Sequence, residues 1–156
     1  MRLTICAIGR TRGGPERDLV DDYLSRAERS GKSVGITRVS LVEAEAKGQS
    51  SPQAEAPLLR RAVPEAAVLV CLDERGKTLT SPRFAERIGA WRDTGHRDVA
   101  FLIGGADGLE PSLRDEADLS LSFGPMVWPH LLARVMLAEQ LYRAVSILTG
   151  TPYHRE

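Results

Sequence analysis

The residues of this chain whose types can do chemistry gather in its last third, residues 101–143, which read FLIGGADGLEPSLRDEADLSLSFGPMVWPHLLARVMLAEQLYR. Two stretches there, Gly104-Gly105-Ala106-Asp107-Gly108 and Phe123-Gly124-Pro125-Met126-Val127-Trp128-Pro129, each follow a buried-looking strand. Loops at strand ends in an α/β domain expose main-chain N–H and C=O groups that the sheet no longer uses, and small ligands bind there. Taken alone, GGADG reads as an ordinary tight turn. No Gly-Lys-Ser/Thr follows it, so it is not a phosphate loop, and it lacks the GxGxxG spacing of a dinucleotide site. The second loop shifts the reading toward a ligand, because apolar side chains beside free carbonyls suit a purine ring. A third candidate ligand loop is Leu72-Asp73-Glu74-Arg75-Gly76-Lys77.

Charged and titratable groups lie around these loops. His130 opens the final helix, where it is either a terminal surface residue or a base beside the second loop. His154 sits in the tail Tyr153-His154-Arg155-Glu156, either a frayed terminus or a proton acceptor. Arg134, Glu139 and Arg143 lie along the final helix, with the last two at ion-pair spacing. They form either a solvated salt bridge or a pair of guanidinium groups for phosphates, one of them aligned by a carboxylate. Arg10 and Arg12, in the loop RTRGG, are either phosphate contacts or solubilising charges.

The elements that must position these groups follow from pattern. Residues 2–8 read as a strand ending at Gly9, and Pro15 starts a helix that Gly31 can stop. Residues 34–42 read as strand two, 43–51 as a polar, mobile loop, and 52–62 as a modest helix. The apolar run 66–72 has the look of a central parallel strand covered on both faces. Ser81-Pro82 opens a helix with Phe84, Ile88 and Trp91 on one face, ending near Gly95. Strands at 99–103 and 119–123 flank a short helix from Pro111. The helix over 130–148 is apolar around more of its circumference than one sheet face can cover, which calls for burial against a second copy. Strand and helix alternate throughout, so the class is α/β: one domain, a mostly parallel sheet, helices on both faces.

Composition narrows the function classes. A chain of 156 residues can bury a real core as one domain. Lys+Arg and Asp+Glu number 21 each, which excludes a uniformly basic surface but not a local patch. Residues 1–34 carry seven basic and five acidic groups, whereas 101–120 carry five acidic groups and Arg114 alone. Cys6 and Cys71 stand in apolar runs without CxxC spacing, as small core hydrophobes, implying neither zinc nor a disulfide and fitting a reducing cytoplasm. No apolar run approaches a membrane span, and the first strand begins too early for a signal peptide.

One combination is specific: IGGADG, then SLS, then PH with Arg four residues after the His, then EQLYRA and a terminal PYHRE. It resembles the RlmH family, small SPOUT-class ribosomal RNA methyltransferases, over nearly the whole chain, with Ile8-Gly9-Arg10 matching at the opening strand. The resemblance implies a single SPOUT-type methyltransferase domain over 1–156, a C-terminal trefoil knot and a homodimer. It implies an enzyme that uses S-adenosyl-L-methionine, without a metal, to methylate N3 of a pseudouridine in helix 69 of 23S rRNA on the assembled ribosome. Carried over by matching position, the cofactor contacts are Leu72, Gly104 and the segment Phe123, Gly124, Pro125, Met126, Val127 and Trp128. Relatives often carry Ser and Thr where this chain has Gly124 and Val127, so side-chain hydroxyl contacts there are lost while main-chain contacts remain.

The imide N3 must lose its proton to attack a methyl carbon, so a base is expected: His154, with His130 as rival. Arg134, Arg143 and Arg155 are expected to orient phosphate or stabilise the developing anion, and Arg10, Arg12, Tyr153 and Arg155 to form an RNA surface assembled across the dimer. Two other classes fit the alternating pattern: a flavodoxin-like nucleotide-binding module, for which RTRGG is a poor phosphate loop, and a ribosome-associated factor without activity.

Overall fold

The computed structural model describes residues 1–45, 48 and 50–155. In chain order the elements are β1 (Arg2–Ile8), α1 (Pro15–Gly31), a 3-10 turn (Lys32–Val34), β2 (Arg38–Ala44), α2 (Pro52–Ala62) and β3 (Val68–Thr78). They continue with α3 (Ser81–Asp93), β4 (Asp98–Ile103), α4 (Pro111–Glu116), β5 (Leu119–Ser122) and α5 (His130–Thr149). The five strands form one sheet in the order β2-β1-β4-β3-β5. Every pairing is parallel, so the C-terminal ends of all five strands come out along a single edge.

Alternation along the strands sorts the core into two layers. Leu3, Ile5 and Ala7 of β1, with Val99, Phe101 and Ile103 of β4, face Val20, Leu24, Phe84, Ile88, Leu137 and Leu141 of α1, α3 and α5. The intervening positions, Cys6, Ile8, Ala100, Leu102 and Cys71, face Ala56, Leu59, Leu109 and Leu113 under α2 and α4. Two short helices, α2 and α4, therefore cover one face, and the longer α1, α3 and α5 cover the other. Both cysteines are fully buried, and burial pushes each thiol up to about 12, as core residues rather than nucleophiles.

Two elements differ from the sequence pattern. Strand two starts at Arg38, not residue 34, because Val34 belongs to the 3-10 turn and Gly35 takes a left-handed conformation (φ 77°) that breaks the extended run. The polar stretch after Leu72 is not a terminal loop but an irregularity inside β3: Leu72 and Lys77 both stand opposite Leu121 of β5, with the intervening residues bulged out. Gly76 makes this possible. A Cβ there would lie 2.7 Å from the Ser120 carbonyl, so the two backbones pass at a distance no side chain tolerates. The loop expected over 43–51 begins after Ala44, and Ala46, Lys47 and Gln49 lie outside the described residues, as does Glu156.

Candidate functional site

At the C-terminal edge of the sheet, Leu72 of β3, Gly104 after β4, and Phe123, Gly124, Met126, Val127 and Trp128 after β5 line one cleft of about 480 Å³. That volume falls within the roughly 300–1,000 Å³ of small-ligand clefts. His130, the first residue of α5, also lines it. Of the residues expected to contact a cofactor, Pro125 alone stays outside the lining and is exposed. Met126, Val127 and Trp128 are 68%, 83% and 41% exposed, too open for core packing. Among the described residues their main chain makes no hydrogen bond to the rest of the protein.

The glycine loop is built by contact rather than flexibility. A Cβ at Gly104 would lie 2.5 Å from the Gly108 carbonyl oxygen. The loop is folded that tightly because Gly105 and Gly108 bridge, with the Gly108 N–H on the Gly105 carbonyl at 3.1 Å. Main-chain groups at the ends of β4 and β5 and at the bulge of β3, with apolar walls from Ile103, Leu121, Met126 and Val127, fit an adenosine moiety, which needs an apolar slot for its base and polar partners at its rim.

Three groups at or beside the cleft were given no individual role by the linear pattern, although Asp73 lies in the third candidate loop. Asp73 and Arg114 both line it and pair at 2.9 Å. Burial alone would raise the Asp73 carboxyl, but the Arg75 N–H and the Arg114 guanidinium hold it below the usual carboxylate range. Glu55 of α2 is 4% exposed and accepts a hydrogen bond from the Gly105 N–H. Its trace in the sequence is faint: a carboxylate next to Ala56 and four residues before Leu59, on the helix face that the core requires to be apolar.

The arginines separate. Arg134 is 1% exposed, so its guanidinium touches no solvent. It donates to Thr11 and Glu43 at 2.9 Å each and to the Ile8 carbonyl, while Nε finds no partner among the described residues. Burial lowers its pKa and Glu43 opposes that shift. It is thus a strut between α5 and the end of β1, and it carries the loop on which Arg10 and Arg12 stand exposed at the same sheet edge. Arg143, nine residues on, lies about 14 Å along the helix.

Arg143 pairs with Glu139 at 2.5 Å and stacks over the Tyr153 ring at 4.8 Å. Its guanidinium lies 3.4 Å from the His154 Nδ1. Tyr153 donates to Glu139 at 3.0 Å, its phenol pushed above the ordinary range by burial and by that bond. The tail is therefore folded back on α5 rather than frayed, with Arg155 exposed beyond it. His154 is packed beside Arg143, about 20 Å along α5 from His130. The single chain brings His130 to the cleft and keeps His154 with the tail cluster.

A family model described as "Predicted SPOUT methyltransferase" matches residues 1–154. The chain belongs to the SPOUT methyltransferase family. It is 63% identical over 155 residues to the ribosomal RNA large subunit methyltransferase H of Cereibacter sphaeroides (strain ATCC 17025), and 60% identical over 156 residues to the protein of the same name from Paracoccus denitrificans. Those alignments span 99% and 100% of each chain. The crystal structure of a probable methyltransferase from Bordetella pertussis Tohama I superposes with a TM-score of 0.51 at 18% identity, covering 92% of this chain and 95% of that one, a likeness of fold.

Proposed function

We propose that this protein is an S-adenosyl-L-methionine-dependent methyltransferase of large-subunit ribosomal RNA, acting in the cytoplasm on N3 of a pseudouridine in helix 69 of 23S rRNA within the assembled ribosome. The observation that carries it is the convergence of Leu72, Gly104 and Met126 on one cleft in a chain of this family. Bound there, S-adenosyl-L-methionine would supply an electrophilic methyl carbon on a sulfonium for attack by N3, with the electrons of the broken bond left on the sulfur of S-adenosyl-L-homocysteine. The glycine loop and the 123–128 segment hold the donor through main-chain groups. What the protein must add is placement and removal of the N3 proton.

His154 takes that proton, with His130 as the alternative because it alone of the two lines the cleft of its own protomer. Arg143 packs beside the His154 ring, and Arg134 fixes the loop that presents Arg10 and Arg12 to phosphates. Tyr153 and Arg155 complete the RNA surface. The separation of His154 from the cleft is met by a homodimer in which one tail serves its partner's cleft. Supporting such a pairing, Leu19 and Leu132 are 45% and 41% exposed. Leu19, Val135 and Met136 line a second, largely apolar groove where α1 and α5 meet the start of α3 and the end of β5. The trefoil knot belongs to the same reading.

The test is methylation of purified ribosomes with mass mapping of the modified nucleotide. One added methyl on a helix 69 pseudouridine is expected, lost in His154→Ala while cofactor binding is retained. Absence of S-adenosyl-L-methionine binding by calorimetry would overturn the proposal. Full turnover in His154→Ala together with its loss in His130→Ala would transfer the base to His130.

A further inference from the structure

Glu55 lies among the core residues of α2, beside Ala56 and one turn before Leu59, with 4% of its surface exposed. A carboxylate in such a place is costly unless its oxygens are used. Both are used: Oε2 accepts the Gly105 N–H at 3.1 Å, and Oε1 accepts the Ser50 hydroxyl. Glu55 itself does not line the cleft, whereas Gly104, Gly105 and Ala106 do. The carboxylate therefore grips the glycine loop from outside the space a ligand would fill.

The grip sets the orientation of a particular peptide plane. In a trans peptide the C=O and N–H point in opposite directions, so an N–H at residue 105 turned onto Glu55 aims the carbonyl of Gly104 to the opposite side of the loop. Gly105 also matches the carboxylate in shape. A Cβ at 105 would stand 2.6 Å from Oε1 and 3.1 Å from Oε2, so the acid occupies the volume that any side chain would need. No left-handed backbone demands glycine at 105; the demand comes from Glu55.

We infer that Glu55 is a positioning residue for the methyl donor: by holding the Gly105 N–H it fixes the 104–105 peptide in the one rotation that presents the Gly104 carbonyl to the cofactor. This rests on the cleft being the S-adenosyl-L-methionine site. Glu55 touches neither cofactor nor RNA and acts through the loop alone. Glutamine can keep both contacts, its amide oxygen on the Gly105 N–H and its NH2 on the Ser50 oxygen, whereas alanine keeps neither.

The experiment is calorimetric titration with S-adenosyl-L-methionine of the wild type, Glu55→Gln, Glu55→Ala, Gly105→Ala and the double variant Glu55→Ala/Gly105→Ala, with melting temperatures for each. Loss of a hydrogen bond to a charged group predicts a Kd about 10- to 100-fold higher in Glu55→Ala, with Glu55→Gln within about 3-fold of the wild type. In turnover assays the loss appears in KM for the donor more than in kcat. Gly105→Ala alone weakens binding because its methyl displaces the carboxylate. In the double variant that penalty is absent, so its Kd equals that of Glu55→Ala rather than the product of the two losses. Should Glu55→Ala fail to fold, Glu55→Asp, one methylene too short to reach Gly105, takes its place in the series. Wild-type affinity in folded Glu55→Ala, or multiplicative losses in the double variant, would overturn the inference and leave the cleft assignment standing. A wild type that binds no S-adenosyl-L-methionine would overturn both.

Discussion

Replacing Gly104 by alanine tests the architecture of the cleft at the point where it has least room. The new methyl would lie 2.5 Å from the carbonyl oxygen and 2.6 Å from the carbonyl carbon of Gly108, and 3.0 Å from the Leu109 nitrogen. All three atoms are backbone, so no side-chain rotation relieves the overlap. Favourable contacts between heavy atoms begin near about 3.5 Å, so the turn over 105–109 has to shift by about 1 Å relative to β4. Overpacking of this kind costs about 1–3 kcal/mol, a fall in melting temperature of roughly 2–12 °C for a chain of this size. A displacement of about 1 Å in a main-chain binding loop is expected to raise the Kd for S-adenosyl-L-methionine about 10- to 100-fold.

Calorimetry at a temperature where the variant is fully folded reads the effect. Gly95→Ala is the matched control. Its φ of +88° makes alanine unfavourable and nothing lies within 4 Å of the added methyl, so it loses about 1 kcal/mol of stability. Gly95 precedes β4, at the opposite sheet edge, so affinity is expected to be unchanged. Wild-type cofactor affinity in folded Gly104→Ala would refute the reasoning that this turn shapes the site.

Two further outcomes are expected. The Asp73 carboxyl is held below its ordinary range in the folded state, so the Asp73–Arg114 pair contributes stability that is present above the unfolded value near about 3.9. That contribution is lost as pH falls through the folded value. Asp73→Asn should lose about 1–2 kcal/mol in urea denaturation at pH 7, with the gap closing toward pH 3; an undiminished gap at pH 3 would exclude the ion pair as its source. Subunit mixing addresses the tail: assayed at S-adenosyl-L-methionine well below the raised Kd of Gly104→Ala, where that variant and His154→Ala are each nearly silent, the mixture should recover about a quarter of wild-type activity after exchange, because half the dimers then hold one intact site assembled from two chains. No recovery would place His154 in the cleft of its own chain.

Much of this fold is legible in the residues. The alternation of β1, Pro15 and Gly31 around α1, Ser81-Pro82 before α3, and Pro129-His130 before α5 are local signals, and each bounds an element where the pattern puts it. The misplaced start of β2 came from Val34, a β-former held in a 3-10 turn by its neighbours. The inner bulge of β3 was hidden because Asp73-Glu74-Arg75-Gly76 has the composition of a loop, and what keeps it in the sheet is the passage of β5 beside Gly76. At the site, the glycine and proline loops announced themselves. Their supports did not, since Glu55, Asp73 and Arg114 act through partners 50 and 41 residues away. Arg134 and Arg143, nine residues apart, stand on opposite sides of α5, so helical geometry separates them; that Arg134 is the one turned inward, onto Ile8, Thr11 and Glu43, is a choice made by the tertiary fold.

The most direct measurement is a crystal structure of the protein with S-adenosyl-L-homocysteine. Density for the adenosine enclosed by Leu72, Gly104 and Met126, with hydrogen bonds to the main chain of 104 and 123–128, is the predicted result. Ligand density elsewhere on the molecule, with this cleft holding only solvent, would contradict it.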